Sequence, residues 1–447
     1  MPISNKFREI EDFYMRESND TIDNSADRRQ FLKTGSAGLA AAVALGPSLS
    51  ATAFAKGEDV IKIGLVGCGG RGSGAVANAL EADPAVRLVA MGDVFEDHLA
   101  SSYKRTKAAY QDRVQVDDEH KFIGFDAYKK VVDSCDVVLL ATPPTFRPEQ
   151  LKYAIEQGKH VFCEKPVAVD APGLRSVIET YKLAESKKLS LVSGLCYRYH
   201  PTIVAAFNEV ASGRIGDVIS ARCSYFTRGL WSYPREEGWS DMEYQLRNWL
   251  YYTWLSGDHI NEQSIHSIDK MLWAFGDKNP VSASGTGGRF LRTEPIYGNI
   301  YDHFAIEYKM DEDTTGFGRC RQQDACQVDV TDTVYGTKGT LHIATTRAHI
   351  TGEKPWRYRG ESGNMYVMEH KALYNSIREG KPINNGQYMC NSTMTAILGR
   401  ECAYTGQTVK WDDLMASDVK LGPEKYEWSD LPVPPVRKPG DGRGMTA

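Results

Sequence analysis

The sequence predicts an α/β Rossmann domain, with a parallel doubly wound sheet, followed by an α+β domain with a large, mostly antiparallel open sheet. Three observations carry this. Short apolar strands alternate with helical stretches from Val60 to Ser193. A glycine-rich turn, Gly67 to Gly72, stands between the first strand and the first helix. After about Pro201 the rhythm changes to a run of strands separated by tight glycine turns.

In the first half, Val60–Val66, Val86–Met91, Val137–Ala141, His160–Cys163 and Leu189–Ser193 are rich in Val, Ile and Leu. Strands covered on both faces have this continuous apolar character. Helical stretches such as Ser73–Glu81, Ala127–Ser134, Pro148–Gln157 and Ala171–Lys187 separate them, which implies βαβ crossovers. In the second half a helix, Ile203–Ser212, leads to a strand, Val218–Phe226, then to an aromatic-rich connection and a long helix through Trp273. Strands are expected at Val281–Gly287, His303–Tyr308, Gly316–Gln322, Asp329–Tyr335 and Gly339–Ala344. Helices at Met365–Glu379 and around Thr393–Thr405 follow, and the Pro/Gly-rich tail beyond Pro432 is expected to be irregular. The domains divide as 1–55, 56–195 and 196–447.

The first of these reads as a leader. Arg28-Arg29-Gln30-Phe31-Leu32-Lys33 precedes a small-residue apolar run, Ala37 to Leu45, and Pro47 breaks it. Paired arginines ahead of a weakly hydrophobic segment look like a twin-arginine export signal, and Ala53-Phe54-Ala55 predicts cleavage before Lys56. The mature chain is therefore expected in the periplasm, with no stable membrane anchor, because the apolar run is too short to span a bilayer. The polar stretch before Ala26 is unusual for such a leader, and a start at Met15 in place of Met1 would remove it.

The 447 residues carry a formal net charge of -5 and a quarter of them are charged. That mild acidic excess gives no reason to expect nucleic acid or anionic lipid as a partner. The nine cysteines include no Cys-x-x-Cys pair, and Cys68, Cys135, Cys163 and Cys196 fall inside apolar runs. A thiol there behaves as a small buried hydrophobe, so no structural disulfide is expected.

Gly67-Cys68-Gly69-Gly70-Arg71-Gly72 ends a strand and opens a helix, the context that a dinucleotide fingerprint needs. Gly67 permits the tight turn, Gly69 lets backbone approach a pyrophosphate, and Gly72 lets helix and strand pack closely. The helix N-terminus then holds the phosphate charge. Asp93 ends the second strand about 20 residues on, where an acid accepts bonds from ribose hydroxyls and repels a 2′-phosphate. NAD(H) is therefore expected rather than NADP.

Ala141-Thr142-Pro143-Pro144 closes a later strand and Cys163-Glu164-Lys165-Pro166 the next, both at strand carboxyl ends where such sheets bind ligands. With the glycine turn, this succession resembles the glucose–fructose oxidoreductase, inositol dehydrogenase and MocA (Gfo/Idh/MocA) family. The resemblance covers essentially the whole chain beyond the leader, and Glu164-Lys165-Pro166 is its most specific part. It implies that Thr142, Pro143 and Glu164 border the cofactor, that Lys165 lies beside the nicotinamide and the substrate hydroxyl, and that Pro166 follows a cis peptide bond.

Further on, Asp258, Glu262, His266 and Asp269 share one face if the segment is a single helix. The family has an Asp four residues before its catalytic His and an acid three after; His266 and Asp269 match, and Glu262 stands where Asp is usual. Removing a hydroxyl proton while hydride leaves the carbinol carbon suits a histidine, whose pKa lies near working pH. His266 is therefore expected as general base, with Lys165 as electrostatic partner and Glu262 as the third member. Arg198, Tyr199, Arg247 and Asp269 are the candidate substrate contacts. The aromatics from Trp231 to Trp254 suit sugar stacking and core packing equally. Arg147 stands where relatives frequently have His.

Together these imply an NAD(H)-dependent oxidoreductase acting on a hydroxyl of a sugar, polyol or glycoside. Free dinucleotide should be scarce outside the cytoplasm, so the cofactor is expected to be tightly bound and recycled in the site. A redox-assisted glycosidase or epimerase is the alternative, although the family's glycosidases usually lack the lysine kept here as Lys165. Asp258, His259, Glu262 and His266 also offer ligands for a metal-dependent hydrolase or lyase. On one helix His259 and His266 would stand roughly 10 Å apart, too far to share an ion, so no metal is assigned. The open sheet is expected to find a second copy, giving a homo-oligomer.

Overall fold

Strand β1 (Ile61–Val66) runs through helix α1 (Gly70–Ala82) to β2 (Val86–Asp93), then through α2 (Glu96–Tyr110) to the short β3 (Lys121–Ile123). Helix α3 (Ala127–Asp133) returns to β4 (Val137–Leu140), α4 (Arg147–Glu156) to β5 (His160–Cys163), and α5 (Ala171–Ser186) to β6 (Leu191–Ser193). All six strands are parallel, in the order β3-β2-β1-β4-β5-β6. Val137 to Leu140 are fully buried, as expected of a central strand with helices on both faces. This is a computed structural model that describes residues 59–440. The paired arginines, the Ala53-Phe54-Ala55 site and both candidate start residues lie outside them.

After α6 (Pro201–Ala211) and β7 (Val218–Thr227), the chain forms α7 (Asp241–Arg247), α8 (Thr253–Ser256), α9 (His259–Glu262) and α10 (Ile265–Ala274). Seven strands follow: β8 (Ser282–Gly288), β9 (His303–Lys309), β10 (Thr315–Gln322), β11 (Asp329–Gly336), β12 (Gly339–Ala344), β13 (Arg347–Gly352) and β14 (Trp356–Arg357). Helices α11 (Met365–Arg378) and α12 (Gly386–Thr405), strand β15 (Val409–Lys410) and α13 (Trp411–Met415) complete the elements. The second sheet has nine strands, ordered β14-β13-β12-β11-β7-β10-β9-β8-β15. Only its β7–β10 pair is parallel. One face packs on helices: in β9, Phe304, Ile306 and Tyr308 are buried while Ala305, Glu307 and Lys309 are exposed.

The long helix expected through Trp273 is broken. Gly257 and Asp258 both take left-handed backbone, φ +74°, and a Cβ on Gly257 would meet the Asn261 amide at 2.2 Å. Left-handed backbone is unfavourable for a non-glycine residue. Here the Asp258 carboxylate recovers the difference by accepting from the backbone N–H of His259, from Tyr301 N–H (2.7 Å) and from the Tyr404 hydroxyl (2.6 Å). Asp258 therefore does not share a face with Glu262 and His266. Helix α12 begins seven residues before the expected Thr393, and the irregular tail begins after α13, well ahead of Pro432.

Two elements of the second half complete the first sheet's core. Leu373, Tyr374 and Ile377 of α11 pack in one cluster with Ile61, Leu65 and Leu80. Asn385 accepts from Ser193 N–H (3.0 Å), and Asn384 bridges to Leu191. The division near residue 195 separates two sheets but not two independent cores. All nine cysteines are free thiols, and Cys326 alone among them is not buried.

Candidate active site and cofactor cleft

The glycine turn sorts its residues by what a side chain would meet. Gly67 has φ +93°, and a Cβ there would lie 2.8 Å from the Ala141 carbonyl carbon and the Thr142 nitrogen. On Gly72 it would lie 1.8 Å from the Gly67 oxygen. Gly69 and Gly70 face open space, with nothing within 4 Å of an added Cβ. The first pair serves the fold and the second leaves a cradle at the N-terminus of α1, where free N–H groups and the helix dipole favour an anion. Asp93 ends β2 and accepts from Cys68 N–H (2.5 Å) and Phe95 N–H (2.8 Å). Burial pushes its carboxyl above the usual range against those bonds. Thr142, whose hydroxyl donates to Gln150 (2.6 Å), and Pro143 line the same cleft as Gly67, Gly69 and Asp93. These residues fit a dinucleotide with the ribose at Asp93.

Arg71 turns its guanidinium away from the cradle and into an ion pair with Glu164. Its other edge lies 3.5 Å from the fully buried Glu369, and the Tyr366 ring covers it at 4.9 Å. Burial would raise the Glu164 carboxyl, but Arg71, Lys165 and Arg147 together hold it below the usual range. Burial drives Glu369 well above it, and the charge of Glu164 adds to that shift. Arg71 thus ties the glycine turn to the Glu164-Lys165-Pro166 turn, with one ionised carboxylate between them.

From Val161 to Ala171 every residue but Lys165 is buried, and from Asn261 to Lys270 every residue but Glu262 and His266. Lys165 and Glu262 are in contact, and the charge of Lys165 acts on His266. Lys165 Nζ donates to Glu262 Oε1 (2.9 Å) and to the Glu262 carbonyl (2.6 Å), and the peptide bond before Pro166 is cis. One turn on, the His266 ring meets the edge of Tyr197 at 5.5 Å. Its Nδ1 is buried with no partner among the described residues, which leaves Nε2 of this partly exposed ring as the nitrogen for proton transfer. Burial first, then the charges of Lys165, Lys270 and Arg71, hold its pKa well below 6.5. His266 is therefore neutral at neutral pH and able to accept a proton. Arg147, also buried, donates to the Pro166 carbonyl.

The candidate substrate contacts each have protein partners. Arg198 and Asp269 bind each other (2.9 Å), and Arg198 also binds Asp277 (2.5 Å) while lying between the rings of Trp273 and Tyr388. That buried brace ties α10 to the chain after β6. Tyr199 donates to Asn385 (2.7 Å), the group that also holds Ser193. Arg247 binds Asp97 (3.1 Å) and Glu243 (2.9 Å) and stacks on Phe95, at the edge of the cofactor cleft. Among the aromatics, Tyr251, Tyr252 and Trp254 are core, and Trp249 lines the cleft. The sequence reading missed the Lys270–Asp332 pair, buried beneath His266, although its spacing four residues after His266 was a usable signal. It also missed Glu369, for which no local pattern exists. Asp258 and His259 pair with each other, away from Glu262, and no group of three or more metal-type side chains forms among the described residues.

A parallel sheet with a dinucleotide cradle, joined to an open sheet whose helices supply a lysine-bound acid and a histidine, defines a two-domain dinucleotide-binding class. Residues 61–194 match the model of the oxidoreductase family with the NAD-binding Rossmann fold, and residues 203–342 match the GFO/IDH/MocA C-terminal domain. By both domains the chain belongs to the Gfo/Idh/MocA family. It is 26% identical over 226 residues to an inositol 2-dehydrogenase of Rhizobium meliloti, covering 51% of this chain and 58% of that one. It is 27% identical over 218 residues to a glycosyl hydrolase family 109 protein of Solibacter usitatus, covering 45% and 46%. The chain thus spans about half the length of these relatives. The aldose-aldose oxidoreductase of Caulobacter crescentus, solved with glycerol, shares the fold at TM-score 0.63 and 18% identity, over 78% of this chain and 99% of that one.

Proposed function

We propose that the chain is an NAD(H)-dependent oxidoreductase acting on a hydroxyl of a sugar, polyol or glycoside, with the dinucleotide retained and recycled in the site. The observation that carries the reading is that Lys165, Glu262 and His266 alone keep some exposure in two otherwise buried segments, with Lys165 bound to Glu262 and its charge acting on His266. Bound NAD supplies a hydride acceptor. The chain's own groups handle the proton: His266, held neutral, takes it from the substrate hydroxyl at Nε2, and Lys165 stabilises the oxygen as charge develops. Glu262 fixes Lys165 by a carboxylate and a carbonyl at once, so the ammonium is placed before substrate arrives.

Inositol dehydrogenase and aldose oxidoreductase relatives support a polyol or sugar substrate. The glycosyl hydrolase relative favours a second reading, in which transient oxidation assists glycoside cleavage; retention of Lys165 ranks it lower. Export to the periplasm by the twin-arginine route belongs to the proposal and is the reason to expect a retained cofactor. So does a homo-oligomer through the open sheet, whose outer face shows Phe317 and Tyr335. The test is to purify the protein, denature it, and identify released dinucleotide by mass and absorbance. Stoichiometric NAD surviving gel filtration is the expected result; an empty protein that exchanges added NAD rapidly would overturn the recycling reading and leave a simple dehydrogenase.

A further inference from the structure

We infer that the segment from Ser417 to Gly440 is a clasp on the cofactor cleft, with Tyr426 and Trp428 as positioning residues for the adenosine half of the dinucleotide. The inference rests on the dinucleotide reading of the cleft and deepens it. Beside Asp93, where the ribose is expected, the cleft wall is built from Phe95, Phe125 and Phe146. Two aromatic residues of the clasp pack against these rings. Trp428 lies 5.1 Å from Phe125 and 5.8 Å from Phe95, and Tyr426 lies 4.8 Å from Phe146 and 6.2 Å from Phe125. Leu246 and Trp249 line the same cleft.

The segment has no regular secondary structure, so its path is set by what it is tied to. Arg175 holds the carbonyls of Met415 and Ser417, each at 2.7 Å. Leu421 N–H donates to Asp170 (2.8 Å), and Leu431 N–H to Asp241 (3.1 Å). The Gln245 amide donates to the Leu431 carbonyl (2.5 Å), and Met242 N–H to the Ser429 carbonyl (3.1 Å). Tyr301 holds the Arg437 carbonyl (2.8 Å). Anchors before and after Tyr426 and Trp428 fix those two rings against the wall. Asp170 and Arg175 belong to the first sheet's α5 and its cap, whereas Asp241, Met242 and Gln245 belong to α7. The clasp therefore ties α5 to α7, whose Leu246 lines the cleft. Trp428 remains 49% exposed, so the core does not require it. Its contacts are with the two rings that line the cleft.

Without the clasp the phenylalanine wall would lose its backing and the adenine its fixed surface, so dinucleotide would leave faster. The experiment compares the full chain with Trp428→Ala and Tyr426→Ala variants, and with Trp428→Phe as the conservative rescue. Binding of NAD, AMP and nicotinamide mononucleotide is measured by calorimetry, and NAD release by displacement kinetics. One aromatic contact sets the scale: AMP and NAD should bind about threefold to tenfold more weakly in the alanine variants, with NAD leaving faster in proportion. Nicotinamide mononucleotide binding should not change, and Trp428→Phe should recover most of the loss. Equal AMP affinity in all variants would overturn the clasp, as would equal weakening of both mononucleotides, which marks general loosening. The recycling reading fails separately, when the unaltered protein is isolated empty and exchanges NAD rapidly; the ratio of variant to unaltered chain still judges the clasp.

Discussion

Replacing Lys270 by Met should raise the pKa of His266. The ammonium sits one helical turn beyond the imidazole and forms an ion pair with Asp332, both side chains almost fully buried. Residues four apart on a helix stand about 6 Å apart. A lone cation at that distance, at an effective dielectric of about 20, disfavours imidazolium by about 2.8 kcal/mol, or two pH units. Asp332 in contact with Lys270 cancels most of that field. The part of the field that survives the pairing goes with the ammonium, so the His266 midpoint should rise, by less than the lone-cation figure. Stability changes separately. An unpaired Asp332 costs about 3–5 kcal/mol while ionised, whereas the Lys270→Met/Asp332→Leu pair replaces two charges by apolar groups and should be near neutral. The double variant thus keeps the raised midpoint on a stable fold. Carbon-13 NMR of the ten histidines, with His266 assigned by His266→Asn, follows the titration without any substrate. A midpoint that stays put or falls in both variants would refute the claim that Lys270 helps keep the general base neutral.

Two further outcomes follow from the geometry. Gly69→Ala adds a methyl group into open space, so melting without ligand should be unchanged while NAD affinity falls at least about tenfold; an unchanged affinity would show that the cradle is not where the pyrophosphate lies. His370 is fully buried against Phe162, neither ring nitrogen has a partner among the described residues, and burial holds its pKa well below 6.5. Below pH 6.5 the unfolded chain binds a proton there that the folded chain refuses, so folding loses up to about 1.4 kcal/mol per pH unit until the folded pKa is reached. His370→Phe should lack that loss, and its urea-midpoint advantage over the unaltered protein should grow as pH falls from 7 to 5.

The parallel sheet was legible because its signals are local: continuous apolar strands, a glycine turn and an acid at fixed offsets. Lys165 and Glu262 were legible through their motifs, and the structure joins them. Arg198 and Asp269 were chosen for charge and position, yet each satisfies the other, since a buried charge must find a partner and the nearest one need not be a ligand. Arg247 likewise has a protein partner that no local window shows, its fork matching Asp97 across 150 residues of sequence. The helix break at Gly257 and Asp258 escaped notice because the bonds that stabilise it come from Tyr301 and Tyr404, which no window around residue 258 contains. Helical spacing assumes continuity that a tertiary contact can revoke.

The return of α11 onto the first sheet sets a timetable for synthesis. Leu373, Tyr374 and Ile377 seal a core whose strands end at Ser193. At 5–20 residues per second, the ribosome needs roughly 10–40 s to make the intervening stretch of about 180 residues. Throughout that interval the nascent first sheet has an uncovered apolar patch, which is a natural site for a chaperone to hold. A fragment ending near residue 195 would keep that patch permanently. It should aggregate alone and be rescued by adding the remainder of the chain in trans.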